Sequence, residues 1–187
     1  MGDSLARAQT GDRVAFTELV KGHRGAVFRF ARHLTPDAAS AEDVLQETFI
    51  TALQRLAEYR GEGSFKGWLF AIARTKAWQQ RRLRRGEPET WEPVESLETL
   101  AQAAGYGSPL NPEEFASRVE QRALLEAALA LLPLEEREAV VLRDVEGLSG
   151  EETAAALNLA LPAMKSRLHR GRLRLVAALR KEADRAE

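Results

Sequence analysis

The chain has no cysteine among its 187 residues, which excludes disulfide bonds, thiol nucleophiles and cysteine-ligated zinc or iron–sulfur sites. Aromatic residues make up only 6% of it, and the alternating pattern that marks β-strands is missing. No apolar run approaches the roughly 20 residues of a membrane-spanning helix, and the polar segment 1–12 lacks a signal-peptide core. These absences predict an all-α, cytoplasmic chain that is not inserted in a membrane.

The net charge is only −1, but the charges are unevenly distributed. Residues 74–85 hold six basic side chains and no acidic one, and residues 165–181 hold seven basic side chains and no acidic one. Between these blocks, residues 87–117 hold seven glutamates and no lysine or arginine. Two basic blocks on either side of an acidic spacer indicate two separate contacts with a polyanion.

Apolar residues recur at helical spacing in the first part of the chain, forming one stripe over 16–34 and further helices after breaks at 35–37 and 59–64. Ser40 is expected to cap the second helix, because Asp43 follows three residues later as in a capping box. The third helix is expected to begin at Phe65 and to run into the first basic block.

The second part of the chain carries several helix boundary signals. Asn111 is expected to restart a helix after the spacer, and Pro133 to separate two later ones. Ser149 begins a second predicted capping box, and Asn158 is expected to adopt the left-handed conformation that ends the helix. A final helix should then begin near Leu161. Gly171 lies on the apolar stripe of this helix. Either a close approach of another element requires a glycine there, or the glycine is a tolerated weakness of the helix.

These signals predict two small helical domains joined by an acidic flexible linker. The first domain covers 10–86, the linker 87–111 and the second domain 112–182. Because the linker is rich in proline, glycine and glutamate, we expect the two domains to be loosely tethered.

The last two helices of the second domain form a predicted helix-turn-helix. Lys165, Ser166, His169 and Arg170 fall opposite the apolar stripe, where side chains can reach base edges in the DNA major groove. Arg167, Arg172 and Arg174 are expected to contact flanking phosphates. The alternative is a solvated basic face on an ordinary C-terminal helix.

In the first domain, tryptophans lie close to the first basic block. Trp78 could stack on unpaired bases beside Arg74, Lys76 and Arg81, whereas Trp68 fits the apolar stripe and is better explained by core packing. His169 has no second histidine at metal-ligand spacing, and no nucleophile and base are paired in the sequence. We therefore expect no metal, no cofactor and no enzymatic activity.

Together these segments resemble the extracytoplasmic function (ECF) group of bacterial RNA polymerase sigma factors. The resemblance covers 14–85, which would be region 2, and 122–179, which would be region 4. It rests mainly on Glu-Asp-Val-Leu-Gln-Glu-Thr-Phe at 42–49, on the loop and helix start at 59–69, on Leu-Pro-Leu-Glu-Glu-Arg at 132–137 and on Lys-Ser-Arg-Leu-His-Arg at 165–170.

The resemblance implies three contact sets and a regulatory partner. The partners implied are core RNA polymerase, through its β′ clamp coiled coil and its β flap, promoter DNA, and an anti-sigma factor. The segment 132–137 and the helix after it would dock on the β flap. The residues implied are Asp43, Val44, Gln46 and Glu47 for the clamp; Tyr59, Arg60, Ser64, Phe65, Lys66, Arg74, Lys76, Trp78 and Arg81 for the −10 strand; and Lys165, Ser166, Arg167, His169, Arg170 and Arg172 for the −35 element.

Two other functions fit parts of the sequence. A stand-alone helix-turn-helix regulator would bind duplex DNA by itself, usually as a dimer on a palindrome. A protein-interaction adaptor, such as an inactive sigma-like decoy, would have no need of two basic blocks.

Overall fold

The computed structural model describes residues 2–61, 63–85, 99 and 118–186, and within these residues the regular structure is helical. Helices α1–α5 form an N-terminal bundle, and helices α6–α9 form a C-terminal bundle. The helices are α1 (Gly2–Gln9), α2 (Arg13–Lys21), α3 (Arg24–Leu34), α4 (Ala38–Arg55), α5 (Phe65–Arg85), α6 (Arg118–Ala130), α7 (Leu134–Val140), α8 (Gly150–Leu157) and α9 (Leu161–Ala186).

The stripe over 16–34 is divided between two helices, which corrects the expectation of one continuous element. Helix α2 ends at Lys21, and Gly22 and His23 turn the chain before α3 begins. Helix α4 is capped by Asp37, whose carboxylate accepts a hydrogen bond from the Ser40 backbone N–H at 2.7 Å. The prediction that Ser40 is the cap is therefore wrong. Ser40 is buried in the first turn, and its hydroxyl also hydrogen-bonds Asp37.

The core of the N-terminal bundle forms where α3, α4 and α5 meet. Phe30 and Phe70 are fully buried there and meet edge to face, with ring centroids 5.1 Å apart. Helix α1 belongs to the same bundle, although the polar residues at the start of the chain gave little sign of it. Ala8 is buried, and the Gln9 side-chain amide donates to the carbonyls of Leu56 and Tyr59.

The C-terminal bundle confirms most of the local boundary signals. Ser149 and Glu152 form the predicted capping box at the start of α8. Asn158 adopts the left-handed conformation, with φ 54° and ψ 49°, and ends that helix. Helix α7 continues into a wider π-helical turn over Val141–Val145, in which the Glu146 N–H donates to the Val141 carbonyl at 2.8 Å. The expected helix start at Asn111 lies outside the described residues, as does the linker over 87–111 except for residue 99.

The two bundles pack directly against each other, so the expectation of loosely tethered domains is wrong. Helix α5 lies along α8, and α3 contacts α7 and the π-helical turn after it. Arg137 spans this boundary at one edge. Its guanidinium donates to the His33 carbonyl in α3 at 2.9 Å, and to the Leu132 carbonyl, which follows α6, at the same distance. A cation thus meets the negative ends of two helices that belong to different bundles.

His33 lies at the same edge and links proton binding to folding. Burial lowers the pKa of His33 below its ordinary value of 6.5, although the Glu126 carboxylate, 3.6 Å from its Nδ1, opposes this shift. Arg137, Arg32 and Glu146 also act on the pKa of this ring. Because the folded state binds the proton less tightly than the unfolded state, the stabilisation is complete above pH 6.5 and is lost as the pH falls below it.

We expect His33→Gln to remove that pH dependence. Between about pH 7.5 and about pH 5.5, the free energy of unfolding should fall less in the variant than in the unsubstituted protein, since glutamine does not titrate. Urea unfolding followed by circular dichroism at several pH values measures this difference. Burial also raises the pKa of Glu138. Because Glu138 is present in both proteins, its effect on the pH dependence cancels when the two are compared. If the free energy of unfolding fell equally in the variant and in the unsubstituted protein, His33 would not be the cause of the pH dependence.

Candidate nucleic-acid interface

The helix-turn-helix is formed by α8, the turn at Asn158 and α9. Met164 and Leu168 are buried on the inner face of α9. Their burial orients the opposite face of the helix outward. Pro162 occupies the first turn, where its missing N–H costs no helical hydrogen bond. Helix α9 is held against α6, α7 and α8, and its other side is available to a DNA groove.

The residues predicted for the −35 element divide into two groups. Lys165, Ser166 and His169 are exposed on the outward face of α9. Their spacing of one and four residues places them on one side of the helix within about one turn. The Ser166 hydroxyl donates to the Pro162 carbonyl at 3.1 Å, which leaves its lone pairs accessible. This trio can present a cation, a hydroxyl and an imidazole to base edges.

The three arginines of the predicted −35 set are held in ion pairs within the C-terminal bundle. Arg167 pairs with Glu135 at 2.7 Å, and Arg170 pairs with Glu136 at 3.2 Å, so both side chains lie toward α7. Arg172 forms two hydrogen bonds with Asp144, at 2.6 and 2.9 Å. These contacts fix the orientation of α9 on α7. Arg172 is half exposed and remains accessible to a phosphate.

The loop between residues 59 and 64 is shaped by aromatic packing. The Tyr59 ring lies 5.7 Å from that of Phe65 and 5.2 Å from that of Trp68, and the Tyr59 hydroxyl donates to the Gly63 carbonyl at 2.9 Å. Gly61 and Gly63 both have φ of +78°, a conformation that favours glycine. The Ser64 hydroxyl accepts from the Gly67 N–H at 3.1 Å and caps α5. The loop therefore packs on a cluster of three aromatic rings, those of Tyr59, Phe65 and Trp68. Arg60 is exposed at the surface of the loop.

The side chains predicted for the −10 strand on α5 meet acidic residues of the C-terminal bundle. Arg74 Nε lies 3.0 Å from a carboxylate oxygen of Glu138, and Trp78 Nε1 donates to the other oxygen of the same carboxylate. Lys66 donates to the Glu146 carbonyl, and its Nζ lies 3.4 Å from the Glu146 carboxylate. Lys76 instead pairs with Glu47 inside the N-terminal bundle, and Arg81 is half buried.

Contacts across the boundary between the bundles act on the pKa values of Glu138 and Glu152. Burial raises the pKa of Glu138, and the opposing effects of Arg74 and Trp78 only reduce that shift. The hydrogen bond from Ser64 is the largest cause of the lowered pKa of Glu152, followed by the bond from the Ser149 N–H. Glu138, Glu146 and Glu152 thus each contact a residue that was predicted to hold the −10 strand.

The residues predicted for polymerase binding lie on the outer side of α4. Asp43, Gln46 and Glu47 are exposed, while Val44 is buried in the core and supports the helix from within. Two large apolar side chains continue the same face one turn further on, since Ile50 is 50% and Leu53 is 43% exposed. Exposed apolar side chains that are rimmed by polar ones are typical of a protein-binding surface.

Sequence reasoning did not single out Arg29, Glu138 or Glu146. Glu138 precedes the buried residues 139–142, and a carboxylate beside such a run is the only local sign that it meets a partner. In the part of the chain that the structure describes, no group of three or more acidic or histidine side chains is placed to bind a metal ion. None of the described helices has both the length and the hydropathy to cross a bilayer.

Comparison with known protein families places the two bundles in one group. The model of sigma-70 region 2 matches residues 19–91, and a model of sigma-70 region 4 matches residues 122–175. The ECF RNA polymerase sigma factor SigE of Mycolicibacterium smegmatis is 38% identical over 184 residues, covering 94% of this chain and 66% of that protein. The RNA polymerase sigma factor CnrH of Cupriavidus metallidurans is 31% identical over 182 residues, covering 96% and 94%.

Two solved structures share the arrangement over most of the chain. CnrH in complex with the cytosolic domain of CnrY aligns with a TM-score of 0.67 and 28% identity, covering 95% of this chain and 96% of that one. The sigma factor RpoE in complex with the anti-sigma factor NepR from Bartonella quintana aligns with a TM-score of 0.64 and 27% identity, covering 88% and 96%.

Proposed function

The chain belongs to the extracytoplasmic function (ECF) group of bacterial RNA polymerase sigma factors, and we propose the residues with which it performs the work of that group. It is a transcription initiation factor that binds core RNA polymerase and directs it to promoters. The single observation that carries the assignment is the joint occurrence of both sigma regions, in order, on two helical bundles of one chain.

The second domain, which we place at 112–182, reads the −35 element. Lys165, Ser166 and His169 contact base edges, because they share the exposed side of α9. Arg172 contacts a phosphate at the rim of the groove. Arg167 and Arg170 act chiefly by fixing α9 on α7, since both side chains pair with glutamates of that helix. The segment beginning at Leu132 docks on the β flap.

The N-terminal bundle, over 10–86 together with α1, melts and holds the −10 strand. Arg60, Lys66, Arg74, Lys76 and Arg81 supply positive charge near the path of the strand, and Trp78 supplies an aromatic face for a base. Tyr59, Ser64 and Phe65 shape the loop that receives it. The acidic segment 87–111 links the two bundles when they separate on promoter DNA.

Contact with the clamp coiled coil of the polymerase is made by α4. Asp43, Gln46 and Glu47 provide polar contacts, and Val44 holds their helix in place by packing in the core. The chain acts in the cytoplasm, catalyses no reaction of its own and needs no cofactor. A regulatory anti-sigma partner is supported by the similarity to RpoE, whose solved structure contains the anti-sigma factor NepR.

The experiment that tests this function combines retention and transcription. Purified protein is used to capture bacterial core RNA polymerase, and the complex then transcribes a genomic fragment library whose start sites are mapped. A sigma factor retains polymerase and yields starts that share −35 and −10 sequences. Retention without starts would indicate a decoy. Binding to duplex DNA with no retention of polymerase would indicate a stand-alone regulator.

Substitution of the exposed recognition side chains should reduce initiation at the mapped promoters. For Lys165→Ala and for His169→Ala we expect a loss of about tenfold each in −35-dependent transcription, as one base contact is worth about 1–3 kcal/mol. Lys181→Ala is the matched control for Lys165→Ala, because it removes the same charge from an exposed position near the end of α9. An equal loss in the control would mean that α9 contributes only general charge.

A further inference from the structure

Four of the nine residues predicted for the −10 strand already contact the other bundle. Arg74 and Trp78 hold one carboxylate of the C-terminal bundle, Lys66 contacts a second, and Ser64 hydrogen-bonds a third. A phosphate and a carboxylate offer the same kind of charged oxygen to such donors. The residues that would bind the strand therefore have protein partners that resemble it chemically.

We infer that Glu138, Glu146 and Glu152 form an autoinhibitory latch that competes with the −10 promoter strand for Ser64, Lys66, Arg74 and Trp78. The inference rests on the proposed function, because it takes the strand to bind at these four residues. In the latched chain the strand and the glutamates cannot use the same donors together. The latch must open before the −10 strand is held.

Geometry shows that the two central glutamates serve this contact between bundles. The side chains of Glu138 and Glu146 are 0% and 1% exposed. Glu138 pairs with Arg74, and Glu146 pairs with Arg29 and Lys66, all three of which lie in the N-terminal bundle. Arg29 binds both carboxylate oxygens of Glu146, at 3.1 and 3.3 Å. The π-helical turn over Val141–Val145 sets the position of Glu146 just before Gly147, whose φ of +73° redirects the chain. Such widened turns are frequent at functional positions in helices.

Two other binding surfaces remain accessible while the latch is closed. Asp43, Gln46 and Ile50 are exposed on α4, and Lys165 and His169 are exposed on α9. The closed chain can therefore meet the polymerase clamp before the −10 surface is uncovered. This order keeps the strand-holding residues covered in the free protein, while it leaves the polymerase contact available.

Opening is measured by fluorescence energy transfer between the bundles. Because the chain has no cysteine, Thr17→Cys in α2 and Ala155→Cys in α8 provide two unique labelling positions, both exposed. The test variant carries Glu138→Gln and Glu146→Gln, which keep side-chain size and remove both charges. Glu152 is left unchanged because it also caps α8. The control carries Glu135→Gln and Asp144→Asn, whose partners Arg167 and Arg172 lie in the same bundle as they do.

We expect the ratio of open to closed molecules to rise about tenfold or more in the test variant, since buried charge pairs at interfaces couple strongly, and to stay unchanged in the control. The test variant should also bind an oligonucleotide of the mapped non-template −10 sequence about tenfold more tightly. Unchanged energy transfer would overturn the latch. Opening without tighter oligonucleotide binding would overturn the competition. If the proposed function itself were wrong, the transcription experiment would give no start sites with shared −35 and −10 sequences, whatever the energy transfer shows.

A milder variant protects the test against misfolding. Arg29→Gln removes one side of the Glu146 pair from a side chain that is half exposed, so the N-terminal bundle should keep its core. It should open the chain in the same direction, by a smaller factor. Circular dichroism and thermal unfolding establish that each variant is folded. A folded Arg29→Gln protein with the closed energy-transfer value would count against the latch as well.

Discussion

Gly171→Ala is expected to lower the free energy of unfolding by about 2 kcal/mol, although alanine is the better helix former. A Cβ atom at this position would lie 2.8 Å from Cγ2 of Val140, 3.1 Å from the Glu136 carbonyl oxygen and 3.3 Å from Glu136 Cβ. Val140 is 1% exposed and its branched side chain has little freedom to move. The helices α9 and α7 would have to separate, and chemical denaturation measures the resulting loss.

The matched control is Gly25→Ala in α3. A Cβ atom there would meet only the end of the Arg29 side chain, at 3.5 Å, so the substitution should stabilise the protein by up to about 1 kcal/mol. Opposite signs at the two glycines would establish that close approach explains Gly171. Stabilisation at both would show instead that α7 yields easily and that the glycine is a tolerated weakness of the helix.

The contrast between these glycines illustrates how much could be read from the chain in advance. The capping box at Ser149, the left-handed Asn158 and the start of α9 were predictable because each depends on residues only a few positions apart. The reason for Gly171 was left open between two explanations. Its neighbour Val140 is remote in sequence, and only the packing of α9 on α7 supports the explanation by close approach.

The helix boundaries that were predicted wrongly lie where the local sequence is compatible with more than one boundary. Asp37 and Ser40 are both favourable caps, and the choice follows from the extended backbone of Asp37, with φ −144° and ψ 168°, next to Pro36. The separation of α2 from α3 was missed because the apolar stripe continues across the turn at Gly22. For α4, helical periodicity predicted the helix and left its first residue undetermined, whereas over 16–34 it predicted one helix where the structure has two.

The contact between the bundles could not be predicted by the same reasoning. Glu138 and Glu146 are separated in sequence from Arg74 and Lys66 by 64 and 80 positions, so no local pattern tells which residue either glutamate meets. Composition of the acidic spacer favoured independent domains, whereas ion pairs and buried surface at the boundary favour association. The exposed residues of α9 and α4 were predictable, because periodicity alone assigns them to the outer faces of their helices.

Asp43→Ala combined with Gln46→Ala is expected to weaken binding of core RNA polymerase by about 10- to 100-fold, since two contacts of a central binding helix are lost together. Both side chains are exposed, so the free energy of unfolding should change by no more than about 0.5 kcal/mol. Fluorescence anisotropy of labelled protein titrated with core polymerase measures the affinity, and thermal unfolding checks the fold.

The control for this pair carries Glu18→Ala and Gln121→Ala, which remove the same charge and the same amide from exposed positions on α2 and α6. A selective loss in the α4 variant would assign the outer face of α4 to the polymerase. The apolar residues on that face support the same assignment. Ile50 is half exposed to water, and contact with a protein partner would bury it. Equal affinities for both double variants would instead move the polymerase contact away from α4, while leaving the −35 assignment of α9 intact.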